Sequence, residues 1–365
     1  MADNWKIRLC GMALTILFMF SHEAGAVILV DNGNPEANTT APGGALAGSG
    51  WQFVGNWGLF TGMPVASDFF LTAKHVGGAP GQPFTLGGKS YPALQVFDDP
   101  SSDLKLVRVL GRFPDFAMLY AGSAEKGASA MVFGRGTQRG EPVGSVPDLI
   151  QGWLWGPSDA RLRWGQNSIA GIHTEGTPAI EYLQGYFSNN RPGVNNAMLS
   201  SGDSGGAVFI LDGGNWKLAG VNSAVDGPYN TGTNGPGFFA ALFDTRGFYT
   251  LDENTNWVAV PNGPFARGSA FYATRVSSRI DWINGIVTQT LPSDCFPVLE
   301  SSAMPNGGFL AEPAQSHSDD LLTISIPLPA NRRFYRLKSC APLKLAAPIV
   351  TNGAMQFSIG AAYQP

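Results

Sequence analysis

A serine hydroxyl becomes a useful nucleophile only beside a base that takes its proton and a group that orients that base. The stretch Leu199-Ser200-Ser201-Gly202-Asp203-Ser204-Gly205-Gly206 sets the hydroxyl of Ser204 among glycines, just before an apolar run, Ala207-Val208-Phe209-Ile210-Leu211. Glycine permits a tight turn and leaves neighbouring amide N–H groups uncovered. Such a loop can present Ser204 Oγ while the N–H groups of Gly202 and Ser204 face a developing oxyanion. A base is offered by His75 in Phe69-Phe70-Leu71-Thr72-Ala73-Lys74-His75-Val76-Gly77-Gly78, where an apolar strand ends in a small-residue turn. Imidazole exchanges a proton near neutral pH, although a lone histidine at a strand end is more often structural. A carboxylate is offered by Asp98-Asp99-Pro100-Ser101-Ser102-Asp103-Leu104-Lys105-Leu106-Val107-Arg108-Val109. Asp103 fits best because it abuts the alternating strand, while Asp98 and Asp99 read as a solvated turn.

The scaffold that must hold these groups reads as β structure. Charged residues make up only 14% of the 365, against 47 Gly and 26 Pro, a balance of a turn-rich β protein rather than a helical bundle. The length suffices for a large core and more than one domain. A net charge of −4 without a long Lys/Arg cluster argues against a nucleic-acid surface. Residues 1–26 read as a signal peptide: Lys6 and Arg8, an apolar run from Leu9 to Phe20, then Ala24-Gly25-Ala26. That run is short for a bilayer span, so the mature chain is expected to be exported to the periplasm, cell surface or medium, with no membrane span left. Asn38-Thr39-Thr40 fits a glycosylation acceptor in a host that glycosylates. Trp51-Gln52-Phe53-Val54 and Trp57-Gly58-Leu59-Phe60 read as strands about a turn. Of three cysteines, Cys10 lies in the signal; one disulfide or two free thiols are both open to Cys295 and Cys340. The four histidines are scattered and show no metal-ligand spacing, so neither metal nor cofactor is expected.

The order His75, Asp103, Ser204 and the strings around them resemble the trypsin/chymotrypsin superfamily of serine proteases, in an exported, bacterial type. LTAKH resembles that family's histidine box, SSDLKLVRV its aspartate box and SGDSGGAV its serine box. Ser269 to Ile283 resembles its last strand and C-terminal helix, with Ser278 and Asp281 as a capping pair and Ile280, Ile283 and Val287 as an apolar stripe. The likeness spans roughly residues 45–290. It implies two six-stranded antiparallel β-barrels with the site in the cleft between them. It also implies His75 as general base, Asp103 as its orienter, Ser204 as nucleophile, and the Gly202 and Ser204 amides as oxyanion hole. The implied activity is peptide-bond hydrolysis through an acyl-enzyme, on peptide or protein substrates and by a monomer. A histidine base would make the rate fall below a pH of about 6.5. A non-catalytic binding protein on the same fold is the alternative, and an esterase a minor variant.

The departures from the family matter as much. Val76 and Ser200 stand where the family has cysteines, so its core disulfides are missing. By alignment the pocket is formed by Met198 at its floor, by Ser223, Ala224 and Val225 along one wall, and by Ala270. With no acid among them, the pocket suits small or medium uncharged side chains rather than Lys or Arg. Residues 226–268 are a long insertion, loop over Asp226–Gly237 and strand over Phe238–Phe248, able to cover or extend the cleft. Cleavage after Ala26 would expose Val27, whose ammonium could pair with Asp203, as new N-termini do in this family. The other reading of Val27–Val30 is a plain edge strand. The expected division is thus a signal at 1–26, a protease domain at 27–290, a linker at 291–313 and a small β accessory region at 314–365. In that last region Leu321–Ile326 and Arg333–Leu337 read as strands around an Asn331-Arg332 turn, and Met355–Ile359 as another strand. Phe334-Tyr335-Arg336-Leu337 is similar to C-terminal repeats of some exported bacterial proteins, and the strand-like pattern runs to the final residues as if cut short.

Overall fold

The computed structural model describes residues 27–190 and 195–363; the expected signal segment, 1–26, lies outside the described residues, as do Gln364 and Pro365. The chain is all-β, as its composition implies. After the short strand β1 (Ile28–Leu29) come β2 (Gly55–Trp57), β3 (Phe60–Ala66), β4 (Phe69–Ala73), β5 (Pro83–Leu86), β6 (Lys89–Asp98) and β7 (Leu104–Val109). These six close a barrel in the order β2-β3-β4-β7-β6-β5. Alternation along β4 and β7 sorts their side chains to two faces. Phe70, Val107 and Val109 fill the barrel with Trp57, Phe84 and Tyr91, and Phe70 stacks on Phe84 at 4.1 Å between centroids. Phe69, Leu71, Leu104 and Leu106 point the other way, into a cluster shared with the second half of the chain. The strand expected at Trp51–Val54 is a single 3₁₀ turn, Trp51–Phe53, entered through Gly50 at φ 119°.

The second half holds β8 (Ser129–Gly134), β9 (Thr137–Val143), β10 (Gly152–Ser158), β11 (Arg163–Ser168), β12 (Gly171–Glu175), β13 (Ile180–Tyr186), β14 (Ala197–Met198), β15 (Ala207–Asp212), β16 (Asn215–Val225), β17 (Tyr229–Asn230), β18 (Ala240–Leu242), β19 (Tyr249–Leu251), β20 (Trp257–Ala259) and β21 (Ala270–Arg275). Seven of them form one antiparallel sheet, β11-β8-β15-β16-β21-β13-β12, one strand more than the six expected. The extra strand, β12, is polar and gains its order from pairing with β13. The sheet curls so that β11 returns towards β13. Asn167 Nδ2 donates to the carbonyls of Tyr186 (3.1 Å) and Ala197 (2.8 Å), and Ala170 N–H to that of Gln184 (2.8 Å). The 226–268 insertion divides between a small sheet, β17-β19-β20, and β18, which pairs with β10 of the β9–β10 hairpin. Strand within Phe238–Phe248 is thus confined to Ala240–Leu242.

The single helix among the described residues, α1 (Ile280–Val287), buries Ile283 and Ile286 in the cluster shared by the two halves. Ser278 does not cap it: its Oγ donates to the Arg275 carbonyl (3.0 Å). Beyond it lie β22 (Val298–Ser302), β23 (Leu310–Ala311), β24 (Ser316–His317), β25 (Thr323–Pro327), β26 (Phe334–Lys338), β27 (Leu343–Leu345), β28 (Ile349–Thr351) and β29 (Ala354–Ala361). The stretch 291–313, expected as a linker, therefore contains two strands. β22 pairs with β26, which leaves β25 to pair with β24 and β29, so the expected hairpin about Asn331-Arg332 does not form. The reason is burial: Leu299 is fully enclosed beside Ile324 and Phe357, and Glu300 meets Arg336 at 2.7 Å. Leu94 and Leu110 join this cluster and seat the region on the first barrel. Cys295 and Cys340 are joined by a disulfide. Among the described residues no helix is long and apolar enough to cross a membrane.

Candidate active site

The pairing of β4 with β7 explains why two residues 28 positions apart meet. Ala73 lies opposite Leu104, so the residues just past one strand and just before the other share one end of the barrel. There Lys74 N–H donates to the Asp103 carbonyl (3.0 Å) and His75 N–H to Asp103 Oδ1 (2.9 Å). The imidazole then donates from Nδ1 to Asp103 Oδ2 at 2.7 Å. Burial alone would push the Asp103 carboxyl up, but the bonds from His75 and Ser223 outweigh it and hold the carboxyl below its ordinary value. The His75 side chain is 43% exposed. Its other nitrogen, Nε2, lies 2.8 Å from Ser204 Oγ.

The glycines bring Ser204 to the ring. Gly205 has φ 72°, and a Cβ there would run into Thr72 Oγ1 and the Thr61 carbonyl. Only a bare backbone can approach β3 and β4 so closely, three residues before His75. Gly202 also has a left-handed φ, 95°. Among the described residues neither the Gly202 nor the Ser204 N–H finds a protein acceptor, which leaves both available to an incoming oxygen. Asn222, on β16, fastens the loop from behind: its Nδ2 donates to the carbonyls of Phe133 (2.8 Å) and Asp203 (3.1 Å).

Asp203 points away from the cleft and is 1% exposed. It accepts from the N–H groups of Gly136 (2.7 Å), Ser200 (2.8 Å) and Val27 (3.3 Å) and from Ser200 Oγ (3.1 Å). Burial pushes its carboxyl up to about 6 against the pull of these donors. Among the described residues no Lys, Arg or His side chain pairs with it. Val27 reaches it because β1 pairs with β14, Ile28 opposite Met198, which sinks Val27–Val30 into the core. Val27–Val30 is thus buried, and β1 within it pairs with β14 alone, as an edge strand does.

The expected pocket residues do not all line one space. Met198 is wholly enclosed among Val27–Val30 and Leu199, because β14 is covered by β1. Ala270 is enclosed as well, packed with Tyr182 and Tyr272. Ser223 Oγ donates to Asp103 Oδ2 (2.7 Å), so the hydroxyl is taken up by the carboxylate beside His75. Ala224 and Val225 keep partial exposure. The sequence reading missed Asp226, whose carboxylate accepts from Ala270 N–H (2.8 Å) and Tyr272 Oη (2.9 Å) and so ties the end of β16 to β21. It also took Asp99 for a solvated residue. Asp99 is fully buried, bonded to Ser102 Oγ (2.6 Å) and held bidentate by Arg279 (2.5 and 2.6 Å). The partner lies 180 positions on, beyond the reach of a local pattern. Asp98 is half-exposed and pairs with Lys105. Asn38 spends its side-chain amide on the Trp164 carbonyl (2.8 Å), which occupies the expected glycosylation acceptor.

No family model and no curated protein matches this chain. Among solved structures it is similar to an inactive form of Rv3671c from M. tuberculosis H37Rv, a serine-to-alanine mutant, at 16% identity over 72% of this chain and 100% of that one, with a TM-score of 0.39. A second inactive form of the Rv3671c protease gives 22% identity over 50% of this chain and 85% of that one, at 0.34. A mutant of human heparin binding protein (CAP37) gives 16% over 70% and 99%, at 0.39. Overlap this loose decides nothing about activity, which turns on the geometry around Ser204.

Proposed function

We propose that this chain is an exported serine endopeptidase of the trypsin/chymotrypsin type, acting on peptide or protein substrates. The observation that carries the reading is the unbroken run of hydrogen bonds Asp103–His75–Ser204, at 2.7 and 2.8 Å, with the His75 side chain 43% exposed. In this reading Ser204 Oγ attacks the substrate carbonyl carbon as its proton passes to His75 Nε2. Asp103 keeps Nδ1 protonated and stabilises the imidazolium that forms. The N–H groups of Gly202 and Ser204 receive the oxyanion. Collapse of that intermediate breaks the C–N bond, and the imidazolium gives its proton to the leaving amine. Water, deprotonated by His75, then cleaves the Ser204 ester and restores the enzyme. A wall of Ala224 and Val225, with the Asp226 carboxylate beyond it taken up by Ala270 N–H and Tyr272 Oη, favours small or medium uncharged side chains before the cleaved bond.

The same reading accounts for Asp203. A buried carboxylate without a cation is costly, and the group nearest to supplying one is the nitrogen of Val27. Removal of the signal after Ala26 turns that nitrogen from an amide into an ammonium. The mature enzyme then needs no further processing, and its Ser204 loop is fixed from behind by an ion pair.

The test is digestion of an unfolded protein mixture by the purified mature chain, with the new ends mapped by mass. We expect cleavage after small uncharged residues, abolished in Ser204→Ala and reduced by about 10⁴-fold or more in His75→Ala. Products unchanged in Ser204→Ala, or no products from the folded wild type, would overturn the reading.

A further inference from the structure

Arg139, on β9, is a half-buried guanidinium that no carboxylate accompanies among the described residues. Burial without an acid is unfavourable for a cation, so its contacts must compensate. There are two. Nη1 donates to the Val30 carbonyl at 3.0 Å, and the guanidinium lies 3.7 Å from the centre of the Trp153 ring, close enough for a cation–π contact. Val30 directly follows β1 and is buried, and its own N–H is taken by the Asn196 carbonyl (3.0 Å). From Asp31 the chain is exposed, and Gly33 passes so close that a Cβ there would fall 3.3 Å from Arg139 Nε. Trp153 in turn is held from below. It lies opposite Ala241 of β18 and packs on Phe187 and Phe243. The insertion that the sequence suggested as a cleft cover thus braces the ring on which Arg139 rests.

We propose that Arg139 is a positioning residue: a latch on the Trp153 ring that holds β1 and its flanking Val27 and Val30 in place and so keeps the Val27 ammonium at Asp203. The proposal rests on the reading of Val27 as the mature N-terminus. Val27 and Val30 are joined by one short strand, so a strand free to slide at Val30 also leaves Asp203. A charged hydrogen bond to a carbonyl, part-buried, accounts for a change of at least ten-fold in such an equilibrium.

The experiment uses mature protein beginning at Val27, as wild type, Arg139→Ala, Arg139→Lys and Trp153→Leu. Two rates are measured on folded protein: labelling of Ser204 by a fluorophosphonate, and reductive methylation of the Val27 amine, read from the N-terminal peptide by mass. Arg139→Ala is expected to label about ten-fold more slowly and to methylate at Val27 at least ten-fold faster. Arg139→Lys recovers much of both, because an ammonium can still donate to Val30 and lie on the indole. Trp153→Leu, which keeps an apolar side chain in the core, shows the same pattern more weakly and serves if Arg139→Ala does not fold. Wild-type rates in Arg139→Ala, with a protected wild-type amine, would overturn the latch alone. Equal defects in the alanine and lysine variants would overturn it as well. A wild-type Val27 amine as reactive as that of an unfolded peptide would overturn the pairing with Asp203, and the latch with it.

Discussion

Replacing Asp203 with Asn should have different consequences before and after the chain is cut at Ala26. While Val27 remains an amide, the carboxyl is pushed from 3.8 up to about 6 by burial. A raised carboxyl favours the neutral acid in the fold: the stability this gives is present below pH 3.8 and lost as pH rises through about 6. At pH 8 the buried carboxylate therefore costs about 3 kcal/mol. Asparagine removes that cost, but its NH₂ group must face donors that now meet Oδ1 or Oδ2, which costs about 1–3 kcal/mol. The two effects roughly cancel, so Asp203→Asn is expected to shift the uncut chain by less than about 2 kcal/mol. In the chain beginning at Val27 the ammonium already offsets the burial of the carboxylate, so the substitution recovers none of that cost and loses the pair as well. The amide mismatch is common to both forms and drops out of their difference, which should be about 3 kcal/mol or more. Urea unfolding at pH 8 of the four proteins, all carrying Ser204→Ala against self-digestion, measures it. Equal shifts in both forms would refute the pairing of Val27 with Asp203.

Three further outcomes follow from the site. Ser223→Ala removes one donor to Asp103 Oδ2 and should lower kcat/KM by about ten-fold with little change in stability, measured on the best peptide substrate. Because Asp103 is held below its ordinary value, its contribution to stability is present at neutral pH and lost only as pH falls through that lowered value; activity loss between pH 7 and 5 should therefore be the same in wild type and Ser223→Ala. Arg279→Leu leaves Asp99 buried without its cation and should cost about 3–5 kcal/mol in urea unfolding, while Asp99→Asn together with Arg279→Leu should cost less.

What the sequence disclosed and what it hid divide by the range of the interaction. The surroundings of His75, Asp103 and Ser204 are local strings, while the pairing of β4 with β7 sets the first two at one barrel end. The residues that support them are set by register between distant strands. Ser223 fell on a pocket wall by alignment; only the pairing of β16 with β21 and β15 turns its hydroxyl to Asp103. Asn222 and Asp226 each bond to partners many positions away, with no pattern to mark them. Met198 sits at the right offset from Ser204, yet the segment Val27–Val30 covers it. The region after Gln289 misled for a different reason: prolines, serines and glycines suggested a linker, while β22 buries Leu299 to Ser302 and pairs along its length with β26.

The central claim is that Ser204 is an activated nucleophile. Intact-mass analysis of the mature protein after exposure to a fluorophosphonate tests it most directly. The account predicts one adduct per chain, located on Ser204, absent from Ser204→Ala and nearly absent from His75→Ala. A folded protein with Val27 at its N-terminus that takes up no label, or takes it up elsewhere, would contradict it.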